Sequence, residues 1–370
     1  MSMRHPEHSV PQTEHSVSQP EHSVSQPEQS VSQPEHSVSQ PEHSVSHPER
    51  SEGSLSPREG QTFAHRGSRF AIYANFVKLP HTVFALPFAL TGVVLASYHA
   101  RVTWQMIAWI VLAFTCARFA AMGFNRIVDR EIDARNPRTK QREIPSGLLR
   151  VTEAVGAVSV ASAIFVYAAW RLNPLCAVLS PVALAWVFFY SFTKRFTRWC
   201  HLVLGVGMSI APVGGYLAVT GAWSNPPWML IALALAVATW GGGFDVLYAL
   251  QDVDFDKSER LFSLPVAFGQ TRALMIARGL HLMTVCCLAA VGAATFNGTH
   301  TGSFYALGVA VAAGLLAYEH SLVSPGDYSK LNAAFFTMNG VISIVFFLCV
   351  LTERLLDHGT ALYAVLHVVQ

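Results

Sequence analysis

The chain has 370 residues, of which 52% are hydrophobic and only 13% are charged. From residue 71 onwards one long apolar run follows another, and a water-soluble domain with a charged surface cannot accommodate that pattern, so a soluble globular enzyme is excluded. The 25 Lys and Arg residues against 23 Asp and Glu leave a net charge of +2, which provides no basic surface for nucleic acid, and no DNA or RNA partner is expected.

Residues 1–70 have almost no apolar side chains. A seven-residue unit repeats between Pro6 and Glu49, as in Pro20–Gln26. Each unit has a single valine, whereas a coiled coil needs two apolar positions per heptad and no helix-breaking proline. We therefore expect a disordered low-complexity tail over residues 1–70. The tail has no signal-peptide run, which leaves targeting to the first membrane helix.

Nine later stretches have the roughly 17 to 25 mostly apolar residues that a helix needs to cross a membrane. They lie near residues 76–98, 104–124, 152–170, 174–193, 200–220, 228–248, 272–295, 303–320 and 332–352. This pattern predicts an all-α polytopic membrane protein, with nine transmembrane helices within residues 71–355 around a central cavity. Residues 356–370 are expected to form a short C-terminal segment.

The links between these stretches alternate in charge. Lys and Arg are concentrated in the links 126–150, 194–198 and 257–278, whereas the intervening links hold only Arg101 and Arg171. By the positive-inside rule the N-terminal tail and the basic links lie in the cytoplasm. Nine spans would then place the C-terminus on the opposite face.

Polar side chains recur on one face where the second span ends. Asn125, Asp129 and Asp133 follow one another at four-residue intervals. A helix turns by about 100° per residue, so each four-residue step drifts by only about 40° and the three side chains share a face. We call these three residues the first stripe.

A matching pattern follows the sixth span. Asp252 comes seven residues after Asp245 and Asp256 four residues later, which places all three within about 40° of one another on a helix. Asp254 points the opposite way. We call Asp245, Asp252 and Asp256 the second stripe. By the alternation of spans, both stripes leave the membrane on the cytoplasmic side.

Carboxylates at this depth are costly unless they face a wet cavity and have a partner. Two stripes of acidic and amide oxygens facing one cavity would bind hard cations. Mg²⁺ typically takes one or two carboxylates, and water and substrate phosphate fill its other positions. The alternative is that the aspartates merely cap helices and balance neighbouring arginines.

Basic and phenolic side chains surround the two stripes. Metal ions with Lys and Arg form the usual clamp for a phosphate leaving group, because they neutralise the charge that grows as the bond breaks. The candidates for such a clamp are Arg126, Arg130, Arg138, Lys140, Arg142, Tyr190, Lys194 and Arg195. For any one of the cations, the alternative role is membrane topology and contact with lipid headgroups.

Arg118 lies about two turns inside the second span, seven residues before Asn125 and on the same helix face. A lipid-facing arginine at that depth would be expensive, so we expect Arg118 to point into the cavity. It either pairs with a carboxylate of the first stripe or meets the acid group of an aromatic substrate.

With these residues assembled, the chain resembles the UbiA-type intramembrane aromatic prenyltransferases. The first stripe is similar to the family's N-x-x-x-D-x-x-x-D, and Arg142–Gly147 is similar to the R-x-x-P-S-G that closes the same loop. Asp252 and Asp256 resemble the family's D-x-x-x-D, and Tyr190–Arg195 is similar to the Y-S-x-x-K-R between the two signatures. The similarity covers about residues 71–352.

Within the family, His81–Pro87, Phe189–Arg195 and Tyr248–Asp252 look most like the 4-hydroxybenzoate polyprenyltransferase branch. That branch includes relatives that use a dihydroxynaphthoate-type acceptor on the route to menaquinone. Residues 75–81 read NFVKLPH where the family usually has R-x-D-K-P-x-G, which leaves the acceptor open.

The resemblance implies a Mg²⁺-dependent enzyme of the bacterial inner membrane that transfers a polyprenyl group from its diphosphate to a 4-hydroxybenzoate-like acid for ubiquinone. It implies a metal site of Asn125, Asp129, Asp133, Asp252 and Asp256. The implied catalytic residues are Asp129, Asp133, Asp252, Asp256, Lys194 and Arg195. The implied substrate contacts are Lys78, Arg118, Asn125, Arg130, Arg142, Tyr190 and Asp245. Two alternatives are a dihydroxynaphthoate acceptor and, in a different class, a secondary transporter with buried carboxylates.

Overall fold

A computed structural model describes residues 68–296, 302–323, 326 and 338–368. The described residues form helices and connecting turns, with no β-strand among them. The helices are α1 (Arg69–Phe76), α2 (Leu79–Ala96), α3 (Trp104–Val128), α4 (Arg130–Arg135), α5 (Val151–Leu172), α6 (Pro174–Thr193), α7 (Cys200–Thr220), α8 (Pro227–Ala249), α9 (Val253–Ser258), α10 (Leu264–Phe268), α11 (Gln270–Thr295), α12 (Ser303–Ser321) and α13 (Asn339–Val368). The prediction of an all-α fold is confirmed.

Seven of the helices in the described ranges are long and apolar enough to cross a membrane, so the expected count of nine is not confirmed. The predicted first span corresponds to α2, which is 18 residues long and includes the apolar segment Ala85–Ala96. The predicted eighth span corresponds to α12, which is 19 residues long but is not among the seven. Many large apolar side chains on the spanning helices are exposed, as expected for surfaces that face lipid.

The expected terminal segments lie only partly within the described residues. Residues 1–67 of the expected disordered tail lie outside the described residues, and α1 begins at Arg69, within the last part of that tail. At the other end, α13 continues to Val368 and so includes most of the expected C-terminal segment.

Helix α8 forms the centre of the bundle. It packs against α7 on one side and α11 on the other, and α2, α12 and α13 complete this part of the core. Leu230, Leu233 and Trp240 of α8 are buried together with Tyr216 of α7 and Phe346 of α13. Helices α3, α5 and α6 pack beside α7 and close the other side of the bundle. The second stripe therefore follows the most deeply buried helix of the fold.

A buried carboxylate far from both stripes has a structural role. Glu353 of α13 is 1% exposed and accepts hydrogen bonds from the backbone N–H groups of Gly302, Phe304 and Tyr305. Because the first N–H groups of a helix have no partner within it, Glu353 caps the start of α12. The side chains of Asp129 and Asp252 make no such capping hydrogen bond to α4 and α9.

Candidate active site

Two adjoining cavities lie where the stripes emerge from the bundle. The smaller one, which we call the polar cavity, has a volume of about 150 Å³ and is lined by all six residues of the two stripes. The larger one, the apolar cavity, has a volume of about 730 Å³ and extends among α3, α6, α7 and α8. Five residues line both cavities: Asn125, Arg142, Tyr190, Asp245 and Tyr248. The two stripes thus face one shared space, as expected.

The carboxylates of the first stripe are held by basic side chains. Arg195 donates to Asp129 Oδ1 over 2.9 Å, and Asn125 donates to Asp129 Oδ2 over the same distance. Arg142 donates to both oxygens of Asp133 at 2.8 Å. Asp133 is 6% exposed, so this guanidinium supplies hydrogen bonds that water would otherwise make.

The second stripe is held in the same way. Arg138 donates to both oxygens of Asp252 at 3.1 and 2.6 Å and to the Tyr248 hydroxyl at 2.7 Å. Lys194 donates to Asp256 Oδ1 over 3.2 Å, while the buried Asp256 Oδ2 has no hydrogen-bond partner among the described residues. Asp254 is exposed, which confirms that it points away from the stripe.

Two consecutive residues connect the stripes. Lys194 and Arg195 follow α6 directly, and they reach Asp256 of the second stripe and Asp129 of the first. Arg138 crosses in the other direction, from the link after the first stripe to Asp252. One dipeptide therefore links a carboxylate of each stripe through ion pairs beside the polar cavity.

Burial and neighbouring charges both shift the pKa values of Asp129 and Lys194. Burial raises the pKa of Asp129 above its ordinary value, and the guanidinium of Arg195 opposes that rise. Burial disfavours the Lys194 ammonium, but Asp256 and Asp252 outweigh it and raise the pKa of Lys194 above its ordinary value. Lys194 therefore keeps its charge in a site that is partly removed from water.

Asp245 has a different kind of partner. His201, in the first turn of α7, lies with its Nδ1 2.7 Å from Asp245 Oδ2. The motifs do not single out His201. Its position within an apolar run, at the same end of the bundle as the stripes, is the signal that could have found it, because ionisable residues in membrane helices usually have a functional partner.

Arg118 lines the apolar cavity, as expected from its face on α3. It makes no ion pair with the first stripe, and its buried Nε has no hydrogen-bond partner among the described residues. Most of the surrounding side chains are apolar, including Phe88, Phe165 and Trp240. Of the two predicted roles for Arg118, pairing with a stripe carboxylate is absent from the described structure.

The remaining predicted contacts separate into two groups. Lys78 lines the apolar cavity near Arg142, and Tyr190 lines both cavities. Arg130 lines neither cavity, and its guanidinium instead bonds to Glu131 and to the Ile127 carbonyl. The structure therefore does not bring Arg130 to the other predicted contacts.

The residues present fit a magnesium site in their chemistry. The polar cavity offers carboxylate and amide oxygens, the ligands that Mg²⁺ prefers, and the buried Asp256 Oδ2 is free to accept a ligand. Within the described part of the chain, no three His, Cys, Asp or Glu side chains converge on one point. The four ion pairs explain this, since each holds its carboxylate toward a basic residue.

The sequence model of the UbiA prenyltransferase family matches residues 85–341. The chain belongs to the UbiA prenyltransferase family. It is therefore a multi-pass membrane prenyltransferase, and the alternative of a secondary transporter is withdrawn.

Related sequences and structures agree with this assignment. The chain is 30% identical over 270 residues to the 4-hydroxybenzoate octaprenyltransferase of Vibrio parahaemolyticus, covering 71% of this chain and 87% of that protein. It is 28% identical, with a TM-score of 0.67, to the apo structure of a UbiA homolog from Aeropyrum pernix, covering 74% of this chain and 98% of that one. The fold is also shared with a UbiA homolog from Archaeoglobus fulgidus bound to DMAPP and Mg²⁺, at 20% identity and a TM-score of 0.58, covering 76% and 98%.

Proposed function

We propose that this prenyltransferase transfers a polyprenyl group from its Mg²⁺-bound diphosphate to a phenolic aromatic acid of the 4-hydroxybenzoate type. The observation that carries the proposal is the bridge made by Lys194 and Arg195, which contact Asp256 and Asp129 across one polar cavity. A cavity with carboxylates of both stripes and basic residues between them suits a metal-bound diphosphate. The curated relatives named for this activity support the choice of acceptor.

The ion pairs of the polar cavity suggest how the diphosphate is received. Four basic residues now pair with four carboxylates: Arg195 with Asp129, Arg142 with Asp133, Arg138 with Asp252 and Lys194 with Asp256. If these carboxylates held Mg²⁺, the basic side chains would become available to the phosphate oxygens. The site would then exchange its internal pairs for pairs with the substrate and avoid leaving buried charges without partners.

Asn125, Asp129, Asp133, Asp252 and Asp256 would hold the metal. Mg²⁺ bound there would neutralise charge on the diphosphate and favour its departure. Arg142, Lys194 and Arg195 would contact the same leaving group, as bidentate or charge-assisted hydrogen-bond donors. These roles follow from the cavity that the side chains share.

The apolar cavity is suited to the acceptor and the allylic cation. Its aromatic walls, including Phe88, Trp240 and Phe244, exclude water that would otherwise quench the cation. Arg118 is the charged group within it that has no protein partner in the described structure, so it is available for the carboxylate of an aromatic acid. The phenolic edge of that acid would then face the polar cavity.

We also propose which membrane the protein occupies and which of its faces is cytoplasmic. The bacterial relatives favour the bacterial inner membrane, and the positive-inside rule favours a cytoplasmic position for the basic links that carry Arg138, Arg142 and Lys194. The diphosphate would then enter from the cytoplasmic face while the polyprenyl chain extends into lipid.

A product assay tests this function. Membranes containing the protein are incubated with Mg²⁺, geranyl diphosphate and either 4-hydroxybenzoate or a dihydroxynaphthoate, and the extracts are analysed by mass spectrometry. We expect prenylated 4-hydroxybenzoate. If only the dihydroxynaphthoate is prenylated, prenyl transfer is supported and the acceptor is a dihydroxynaphthoate. If neither phenolic acid is prenylated, the proposal is contradicted.

A further inference from the structure

His201 and Asp245 form a hydrogen-bonded pair where the two cavities meet. His201 is 1% exposed, and its Nδ1 lies 2.7 Å from Asp245 Oδ2. The backbone N–H of Leu264 donates to His201 Nε2 over 3.3 Å. Because a backbone N–H can only donate, Nε2 is the acceptor, and the ring proton lies on Nδ1, where it is donated to Asp245.

Close packing of two helices brings this pair together. A Cβ atom on Gly205 of α7 would lie 2.0 Å from the carbonyl oxygen of Ala238 on α8, so a larger residue would push the helices apart. Gly242, also on α8, approaches the first turn of α7 in a similar way. Gly241 and Gly242 therefore serve the packing of α8 on α7 and bring the start of α7 close to the second stripe, whereas Gly243 packs against His281 of α11.

Asp245 differs from the other carboxylates of the polar cavity. Asp129, Asp133, Asp252 and Asp256 each pair with Lys or Arg. Among the described residues, Asp245 is the one carboxylate lining this cavity whose partner is instead a histidine that donates a single hydrogen bond. Arg138 and Arg142 each bond to both oxygens of their aspartates, whereas His201 bonds to Oδ2 of Asp245 alone, so Asp245 Oδ1 is open toward a substrate.

Asp245 also has the right position for proton transfer. It lines both cavities, as does Asn125, which follows Arg118 by seven residues or about 10 Å along α3. An aromatic acid with its carboxylate on Arg118 would direct its opposite edge toward this boundary. A base at the boundary can accept a proton from the acceptor and pass it to water in the polar cavity.

We propose that Asp245 is the base that accepts the proton lost by the aromatic acceptor, and that His201 is a positioning residue that holds its carboxylate. The proposal rests on the proposed function. The bond between the first isoprenyl carbon and the diphosphate oxygen breaks, and its electron pair leaves with the diphosphate. A bond forms from the ring carbon beside the hydroxyl to the isoprenyl carbon. The C–H electrons then return to the ring, and the proton transfers to Asp245.

Isotope effects separate proton transfer from a structural role. The purified full-length protein is assayed with geranyl diphosphate and Mg²⁺, using 4-hydroxybenzoate with hydrogen or deuterium beside the hydroxyl. In the unmodified enzyme we expect loss of the diphosphate to limit the rate and the isotope effect to be near unity. In His201→Leu we expect kcat to fall by roughly 10- to 100-fold, with a large isotope effect, because proton removal becomes slow.

Three variants make the test specific. Asn can replace the Nδ1 donor, so His201→Asn is expected to restore most of kcat and a small isotope effect. His320→Leu is the matched control, since His320 is bonded to His281 over 3.0 Å and lines neither cavity. Asp245→Asn is expected to lose turnover while still binding the non-hydrolysable geranyl thiolodiphosphate, which shows that it has folded.

The outcomes distinguish a failure of the proposed function from a failure of the role assigned to His201. An unmodified enzyme that prenylates neither phenolic acid contradicts the proposed function itself. If that enzyme is active, an unchanged kcat in His201→Leu overturns the role of His201. A fall in kcat without an isotope effect, shared equally by His201→Asn, also overturns it, because the loss would then be structural.

Discussion

The two cavities hold their charges in opposite ways. In the polar cavity, Lys194 and three arginines form ion pairs with four of the five aspartates of the two stripes, and Asp245 instead contacts His201. In the apolar cavity, Arg118 has no such partner within the described chain. The paired side chains of the polar cavity can exchange their partners for a metal-bound diphosphate. The unpaired Arg118 guanidinium can instead bind an anion directly. The difference teaches that each cavity is suited to a different substrate.

Removal of the metal is expected to have the largest effect. If the carboxylates of the polar cavity bind the diphosphate through Mg²⁺, chelation with EDTA should abolish prenyl transfer, and added Mg²⁺ should restore it. The measurement is product formation in membranes before chelation, after it and after repletion. Full activity in EDTA would show that the basic residues alone suffice to bind the diphosphate and that the polar cavity needs no Mg²⁺.

Loss of one stripe carboxylate should come next. Asp252→Asn removes a proposed metal ligand and the partner of Arg138, so we expect kcat to fall on the order of 10³-fold, in the range of losses seen when transition-state electrostatics are removed. Asp254→Asn is a matched control two residues away, because Asp254 is exposed, and it should keep kcat within about 2-fold. Equal losses in the two variants would point to general destabilisation of this segment.

Arg118→Met tests the apolar cavity. A charge-assisted hydrogen bond contributes about 1.5–3 kcal/mol, so the KM for 4-hydroxybenzoate should rise about 10- to 100-fold. The KM for geranyl diphosphate should stay nearly constant, because that substrate is assigned to the polar cavity. Arg171→Met is the control, since Arg171 is exposed and stacks on Trp109. A rise in the KM for geranyl diphosphate alone would reverse the two assignments.

The smallest effect is expected at the outer edge of the polar cavity. Arg135 and Glu259 form an exposed ion pair between the links that follow the two stripes, at 2.7 Å. Water and salt screen an exposed ion pair, so Arg135→Ala should change kcat by less than about 2-fold and leave the thermal unfolding temperature in detergent nearly unchanged. A large loss would show that this pair closes the site.

The stripes could be predicted from the sequence because helical periodicity relates Asn125, Asp129 and Asp133 locally. The pairs between them could not be predicted, since Arg138 and Asp252 lie 114 residues apart and meet only through the packing of the bundle. His201 escaped prediction for the same reason, because the close approach of α7 and α8 at Gly205 sets its contact with Asp245.

The number of spans shows a second limit. Hydropathy predicts α12 as a span in the same way as the others, yet α12 is not among the seven helices of the described ranges that are long and apolar enough to cross a membrane. Apolar composition reports burial in either lipid or protein, and it does not separate the two. The position of Arg118 was predictable, because a single charge within an apolar helix has few tolerable surroundings.

The central claim is that both stripes bind one diphosphate through Mg²⁺. Its most direct test is the affinity for geranyl thiolodiphosphate, measured by calorimetry with and without Mg²⁺, in the unmodified protein, Asp129→Ala and Asp252→Ala. We predict that Mg²⁺ strengthens binding to the unmodified protein and that either substitution alone removes most of this gain. If one variant keeps the full Mg²⁺-dependent gain, its stripe does not contribute to the diphosphate site and the claim is contradicted.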